Sequence, residues 1–400
     1  MEIPSIGRPY SITAKPIGAK CNLRCKYCYY LEKKGLYPAT NSQMSDELLE
    51  KFIKEYIESQ PVTDVVFVWH GGESLLRPVS FYKKVLKLQS QYRGGKNIIN
   101  TLQTNGTLLN REWCEFFSSN GWLIGLSIDG PEFIHDTFRK TQNMKGTFRT
   151  VMEGIERLNK HKVEWNILAT VNALNGDYPV ETYRFLKNLG TPFIQFTPVV
   201  ERYEANGKLL SGQDKGMVVA DFSVNPVQWG NFLIGMYDEW VKQDVGQVFV
   251  QMFDSTLANW MGVTPGVCTM ARTCGNAPAI EFNGDVYSCD HFVFPQYYLG
   301  NLKNKSLVEM MLDPRQQRFG FDKSQTLPNK CKQCEYLFAC NGECPRNRFM
   351  TTEDGETGLN YLCEGYKSFF QHVADDMEFM CRELENKRPP ANIMKVKKIN

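Results

Sequence analysis

The chain is 400 residues long, 42% hydrophobic and 12% aromatic, enough to bury one large core and a smaller module. Forty-six basic residues against 44 acidic ones leave a formal charge of +2, so no strong field points to nucleic acid or to an anionic membrane as a partner. Met1 to Tyr10 lack the basic-then-apolar pattern of a secretion signal, and no later apolar run approaches the roughly 18 residues of a spanning helix; a soluble, cytoplasmic protein is expected.

Taken in chain order, residues 10 to about 200 alternate short β-rich runs with longer amphipathic ones, the pattern of repeated βα units around a parallel sheet. The first strand candidate, Tyr10 to Ala14, leads into CNLRCKYC, which carries Cys21, Cys25 and Cys28. A helix is predicted over Asp46 to Ser59, with Ser45 as its N-cap and acids in its first turn. Its Leu48, Leu49, Phe52 and Ile53 fall on one face. The second strand candidate, Asp64 to Trp69, ends in His70-Gly71-Gly72-Glu73, and the third, Ile98 to Thr104, runs into the polar stretch Gln103 to Gly106. The fourth, Trp122 to Ile128, brings Ser127, Asp129 and Gly130; Val163 to Val171 and Phe193 to Pro198 complete the set. Polar and glycine-rich residues at strand C-terminal ends are how a (β/α) barrel builds its active site. Six units instead of eight predict an α/β fold with a partial (β/α)6 TIM-like barrel, open at the side for a large substrate.

Glu201 to about Val250 reads as a connector with a helix near Trp229 to Gln243. After Cys268 the elements become short, with a hairpin signal at Asn283-Gly284 between Ile280 and Val286-Tyr287. Helical periodicity returns over Tyr366 to Glu385, followed by a basic tail. The expected division is therefore residues 1–235 as the barrel, 236–365 as connector and Cys-rich domain, and 366–400 as helix and tail.

Thirteen cysteines in a chain expected to stay in the reducing cytoplasm suggest metal ligation, not disulfides. Cys21, Cys25 and Cys28 have C-x3-C-x2-C spacing on a loop after a strand. Three thiolates hold three irons of a 4Fe-4S cube and leave the fourth open, whereas electron-transfer cubes normally take four. An open iron can chelate the amino and carboxylate groups of S-adenosylmethionine (SAM), and one electron into the sulfonium then gives a 5′-deoxyadenosyl radical. The glycines of HGGES allow close backbone approach to such a ligand. A zinc site short of one ligand is the alternative for the triad. The later cysteines are Cys268, Cys274 and Cys289, then Cys331, Cys334, Cys340, Cys344 and Cys363. Eight thiolates fill two cubes completely, which favours electron transfer, although Cys331, Cys334, Cys340 and Cys344 also suit one structural zinc. Spacing does not fix the pairing. Cys114 and Cys381 lie on predicted helices, as small hydrophobes.

CNLRCKYC, HGGES, LQTNG, GLSIDGP and the eight-cysteine tail resemble the anaerobic sulfatase-maturating enzymes, radical SAM proteins with a so-called SPASM domain, over about Ser11 to Tyr366. The resemblance implies oxidation of a Cys or Ser side chain in a sulfatase to Cα-formylglycine. It implies three 4Fe-4S clusters, one of them binding SAM and two auxiliary. It also implies SAM contacts from Tyr27, Gly72, Ser127, Arg139 and the backbone of Val200. The auxiliary ligand sets it implies cross over: Cys268, Cys274, Cys289 and Cys344 for one cube, Cys331, Cys334, Cys340 and Cys363 for the other. Asp290 matches the family's proposed base, taking the substrate proton while the surplus electron leaves through the auxiliary cubes. The implied partners are an unfolded or nascent sulfatase polypeptide and a low-potential donor of flavodoxin or ferredoxin type. Two rival readings stand beside it. One is a SPASM peptide maturase making thioether or carbon-carbon crosslinks, many of which carry an N-terminal leader-binding module, against the 20 residues before Cys21 here. The other is a zinc-stabilised adaptor without turnover.

Overall fold

In the computed structural model, residues 7–37, 43–203 and 218–397 are described. The early part of the expected connector, residues 204–217, and the last three residues of the basic tail lie outside them. The strands that frame the site are β1 (Thr13–Lys15), β2 (Asp64–Trp69), β3 (Asn97–Thr104), β4 (Leu123–Ser127), β5 (Glu164–Val171), β6 (Phe193–Pro198), β7 (Phe249–Val250), β8 (Ala279–Glu281), β9 (Asp285–Tyr287) and β10 (Tyr298–Asn301). The chain divides into two compact units. The first holds residues 1–127, 136–165 and 274–321, the second 128–135, 166–273 and 322–400.

In the first unit, β1, β2, β3 and β4 are parallel neighbours. The expected strand positions hold to within a few residues, except that the first strand begins three residues later than Tyr10. Tyr10 instead turns its hydroxyl to Ser59 at 2.6 Å. The hairpin at Asn283-Gly284 forms as read, β8 antiparallel to β9, but β8 also pairs parallel with β1, Thr13 against Ala279 through Lys15 against Glu281. Sequence periodicity does not reveal this: three residues are too few to carry a pattern, and the pairing is non-local.

Helix α1 (Asp46–Ser59) starts where Ser45 accepts the Leu48 amide at 3.3 Å, the cap read from the sequence. Its buried face lays Phe52 parallel to Tyr56, with ring centroids 5.8 Å apart, and edge-on to Phe67 of β2. Beside it, α2 (Val79–Tyr92) buries Gln89 on Asn100 through reciprocal amide bonds of 2.8 and 2.9 Å. The Trp69 indole donates to the same Asn100 oxygen at 2.9 Å, so this polar insertion among aromatics is paired.

The second unit carries the parallel strands β5 from Asn166 onward, β6 and β7 and two long helices, α3 (Pro226–Gln243) and α4 (Cys363–Glu385). α3 starts three residues before the expected Trp229, because Asn225 and Gln228 form a reciprocal capping box. The two helices meet at Gly230 and Gly365, where a Cβ on Gly365 would run into the Pro226 carbonyl. The Cys-rich region also holds an unforeseen helix, Pro314–Gln325; its few apolar residues give no stripe for a periodicity reading to find. Among the described residues no helix is long and apolar enough to cross a membrane. Phe52→Ala is expected to cost about 3–5 kcal/mol, read as a lower urea midpoint under anaerobic conditions; an unchanged midpoint contradicts the aromatic packing of α1 on β2.

Candidate active site

The triad loop leaves β1 and is tied down along its length. The Arg24 amide donates to Lys140 O at 2.8 Å and the Lys26 amide to Phe138 O at 3.1 Å. Gln142 Nε2 reaches Cys21 O at 3.2 Å and Leu23 O at 2.8 Å. Asn22, inside the motif, receives the Asn105 amide at 2.9 Å and donates to Thr107 at 2.9 Å. Cys21 Sγ accepts from the Leu23 amide at 3.3 Å and from Asn105 Nδ2 at 3.8 Å. Burial, with the Glu73 charge adding to it, lifts the Cys21 thiol to about 11. All three thiols keep partial exposure.

The second strand end is built around the same loop. The Gly72 amide donates to Gly18 O at 2.7 Å and the Glu73 amide to Lys20 O at 2.9 Å. A Cβ on Gly72 would collide with the Lys20 carbonyl, so only glycine fits. Glu73 is buried and accepts from Leu75 N at 3.0 Å, Thr104 Oγ1 at 2.7 Å and Asn105 N at 2.8 Å. It locks the ends of β2 and β3 together. Tyr27 and Arg139, both buried, face each other with the guanidinium 5.6 Å from the ring centroid. Arg139 is thus no solvated loop residue.

Asp290 stands in a short 3-10 turn after Cys289, in the same unit as the triad. Tyr29, next to Cys28, donates its hydroxyl to Asp290 Oδ2 at 2.5 Å, and the Lys15 ammonium pairs with Oδ1. The Tyr29 ring lies 4.9 Å from that of His291. Burial alone would raise the Asp290 carboxyl, but Lys15, His70 and His291 outweigh it and hold the group below the usual carboxylate range. His70 itself is pushed down to about 4 by burial and by Lys15. Cys28 and Tyr29 rest against a buried cluster of Tyr30, Ala279, Tyr287 and Val293, so the triad loop and the segment leading to Asp290 share one apolar seat.

The remaining expected site residues divide between the units. Ser127 ends β4 in the first. Val200 is buried in the second, just after β6, between Val199, whose amide meets Val171 O at 2.7 Å, and Glu201. Glu201 is held by Arg346 through two bonds of 2.6 Å. Cys274 and Cys289 belong to the first unit, Cys268 and Cys344 to the second. In the second unit the thiols of Cys331, Cys334, Cys340 and Cys363 come within electrostatic reach of one another: after burial, Cys363 feels Cys331 and Cys334, and Cys340 feels Cys363. Lys323 donates to Cys268 O at 2.6 Å and Thr269 O at 2.7 Å. Cys114 and Cys381 are buried on helices, as expected.

The radical SAM superfamily profile matches residues 16–186, and the SPASM profile, an iron-sulfur cluster-binding domain, matches residues 268–335. A serine-type anaerobic sulfatase-maturating enzyme of Bacteroides thetaiotaomicron is 58% identical over 98% of this chain and 96% of its own length. The chain belongs to the anaerobic sulfatase-maturating enzymes. A cysteine-type member from Clostridium novyi is 32% identical over 94% of this chain and 98% of its own. The solved structure described as native anSMEcpe with bound AdoMet and Cp18Cys peptide superposes with a TM-score of 0.83 at 31% identity, covering 94% of this chain and 99% of that one.

This sulfatase-maturating enzyme is a radical SAM oxidoreductase with an α/β fold, a parallel-strand sheet and a SPASM domain, and its cofactors are SAM and 4Fe-4S clusters. The adaptor reading is set aside. Its own residues suit a cluster on the triad: three thiols on one short loop, Cys21 already receiving N–H donors that favour a thiolate, and a burial cost that a cationic cluster offsets. Sequence reading did not single out Lys15, Tyr29 or Asn105. A lysine at the end of the first strand and a tyrosine directly after Cys28 were the available signals. Gly72→Ala is expected to force the HGGES turn off the triad loop, lowering bound iron from about twelve per chain toward about eight. Full iron content by elemental analysis would contradict the fit.

Proposed function

We propose that this enzyme oxidises a serine side chain of a sulfatase polypeptide to Cα-formylglycine, with Cys21, Cys25 and Cys28 holding the SAM-binding cluster and Asp290 accepting the hydroxyl proton. The observation that carries the reading is the Tyr29 hydroxyl on Asp290, which ties the acid to the residue beside Cys28. Bound on Cys21, Cys25 and Cys28, the cluster with SAM would supply a radical able to remove one hydrogen atom from Cβ, and the auxiliary clusters would supply a sink for the one surplus electron. The α-hydroxyalkyl radical is far more acidic than the parent alcohol, and its proton leaves together with the surplus electron, so the Asp290 carboxylate has to be ionised and within reach of the hydroxyl. A carboxylate keeps about four lone-pair positions, leaving room for the substrate hydroxyl beside Tyr29 and Lys15.

Tyr27, Gly72, Ser127, Arg139 and Val200 are the residues proposed to orient SAM; the buried contact of Tyr27 with Arg139 and the close approach of Gly72 to the triad loop support this. For the auxiliary cubes we propose the two sets that the resemblance implies, Cys331, Cys334, Cys340 and Cys363 for one and Cys268, Cys274, Cys289 and Cys344 for the other; the first is supported by the closeness of Cys363 to Cys331 and Cys334 and of Cys340 to Cys363. Serine over cysteine is supported by the 58% identical serine-type relative. A nascent or unfolded sulfatase in the cytoplasm and a flavodoxin- or ferredoxin-type donor complete the reading. The residue division 1–235, 236–365 and 366–400 remains the proposed assignment of barrel, auxiliary-cluster domain and C-terminal helix with tail.

Incubating a sulfatase-derived serine peptide with anaerobic enzyme, SAM and reductant is expected to give a product about 2 Da lighter, where a cysteine peptide would lose about 18 Da. An unmodified serine peptide contradicts the proposal. Asp290→Asn is expected to lower formylglycine formation by about a hundredfold or more with SAM cleavage still measurable; product at the normal rate removes Asp290 as the acceptor.

A further inference from the structure

We infer that Lys15 is the positioning residue for Asp290, fixing the carboxylate at the end of β1 so that proton acceptance stays coupled to radical formation; this rests on the reading of Asp290 above. Lys15 is the last residue of β1 and is 0% exposed, whereas the Asp290 side chain retains 18%. The ammonium is surrounded by specific partners. It pairs with Asp290 Oδ1 and lies 3.6 Å from the centroid of the Tyr30 ring. Its stem is roofed by the Gly71 backbone, close enough that a Cβ there would touch Lys15 Cβ.

A fully buried lysine carries a desolvation cost that ion pairing seldom repays, so stability alone is a poor reason for it. Neutralising its neighbour is the competing reason. Glu281, paired with Lys15 in the β1–β8 register, is also 0% exposed. That carboxyl is pushed up to about 7 by burial, and the Tyr30 hydroxyl donates to it. The ion pair of Lys15 goes instead to Asp290, whose other oxygen is held by Tyr29. With Oδ2 hydrogen-bonded by Tyr29 and Oδ1 ion-paired to Lys15, both oxygens are held from the triad side of the sheet and the carboxylate is kept from rotating away.

The test is Lys15→Met in the full-length, cluster-loaded enzyme, with four readouts: iron content, 5′-deoxyadenosine formed, formylglycine formed, and serine-peptide affinity by fluorescence anisotropy. Iron, peptide affinity and 5′-deoxyadenosine are expected to stay within about twofold of wild type. Formylglycine kcat should fall roughly tenfold, part of what a positioned proton acceptor contributes, so 5′-deoxyadenosine per product rises by the same factor while KM holds. An unchanged ratio overturns the inference. If Lys15→Met alone loses iron, Lys15→Met/Glu281→Gln removes the buried opposite charge. Recovered iron with the ratio still raised supports positioning, and a wild-type ratio in the double variant overturns it by making Lys15 a mere counter-charge for Glu281. Wild-type enzyme that cleaves SAM but yields no formylglycine would refute the functional reading instead, and is thereby distinguished.

Discussion

The parallel ladder between β1 and β8 joins stretches far apart in the sequence, and the chemistry depends on it. Pairing Thr13 with Ala279 and Lys15 with Glu281 delivers the segment after β9, with Cys289 and Asp290, to the strand that launches the triad loop. Without that ladder Asp290 would be an acid on a distant hairpin. With it, Tyr29 and Lys15 grip the carboxylate from the triad side. The apolar seat of Tyr30, Ala279, Tyr287 and Val293 supports both segments at once, so hydrophobic burial, the dominant favourable term in folding, is what fixes the distance between acid and cysteines.

Around this seat the protein concentrates charge where burial opposes it. Lys15, Glu281 and Glu73 are all buried, and each is answered by specific partners: Asp290 for Lys15, the Tyr30 hydroxyl for Glu281, and amides with a threonine hydroxyl for Glu73. Breaking one side of such an arrangement leaves an uncompensated buried charge, commonly a loss of 3–5 kcal/mol. The arrangement is therefore rigid, which suits a reaction whose radical must meet one hydrogen atom and no other. Gly72 serves the same end by letting the backbone approach where any side chain would collide, and Gly71 by adopting a φ of +135°.

Much of this was legible in the sequence, for identifiable reasons. The long parallel strands from β2 to β6 and helix α1 carry strong local patterns, and Ser45 caps α1 as its position suggests. The cysteine triad needs only spacing and a preceding strand. Asp290 was found through family resemblance, since a lone acid after a cysteine has no local signature. Lys15 and Tyr29 escaped because their roles are set by non-local contacts: a lysine at a strand end reads as a solvated terminus until the chain from Ala279 onward covers it. The helix Pro314–Gln325 escaped because Gly320 and its polar residues hide its periodicity, while its backbone bond to Cys274 is visible only in three dimensions.

The proposed chemistry depends on an open-site cluster held by Cys21, Cys25 and Cys28 beside Asp290. Electron paramagnetic resonance of the reduced, oxygen-free protein tests it most directly, recorded alone, with SAM, and with SAM plus a serine peptide. The account predicts that SAM shifts the g-values of one cluster signal and that this signal is missing when Cys21, Cys25 and Cys28 are replaced by Ala. A spectrum indifferent to SAM, or one unchanged by the triple replacement, would contradict it.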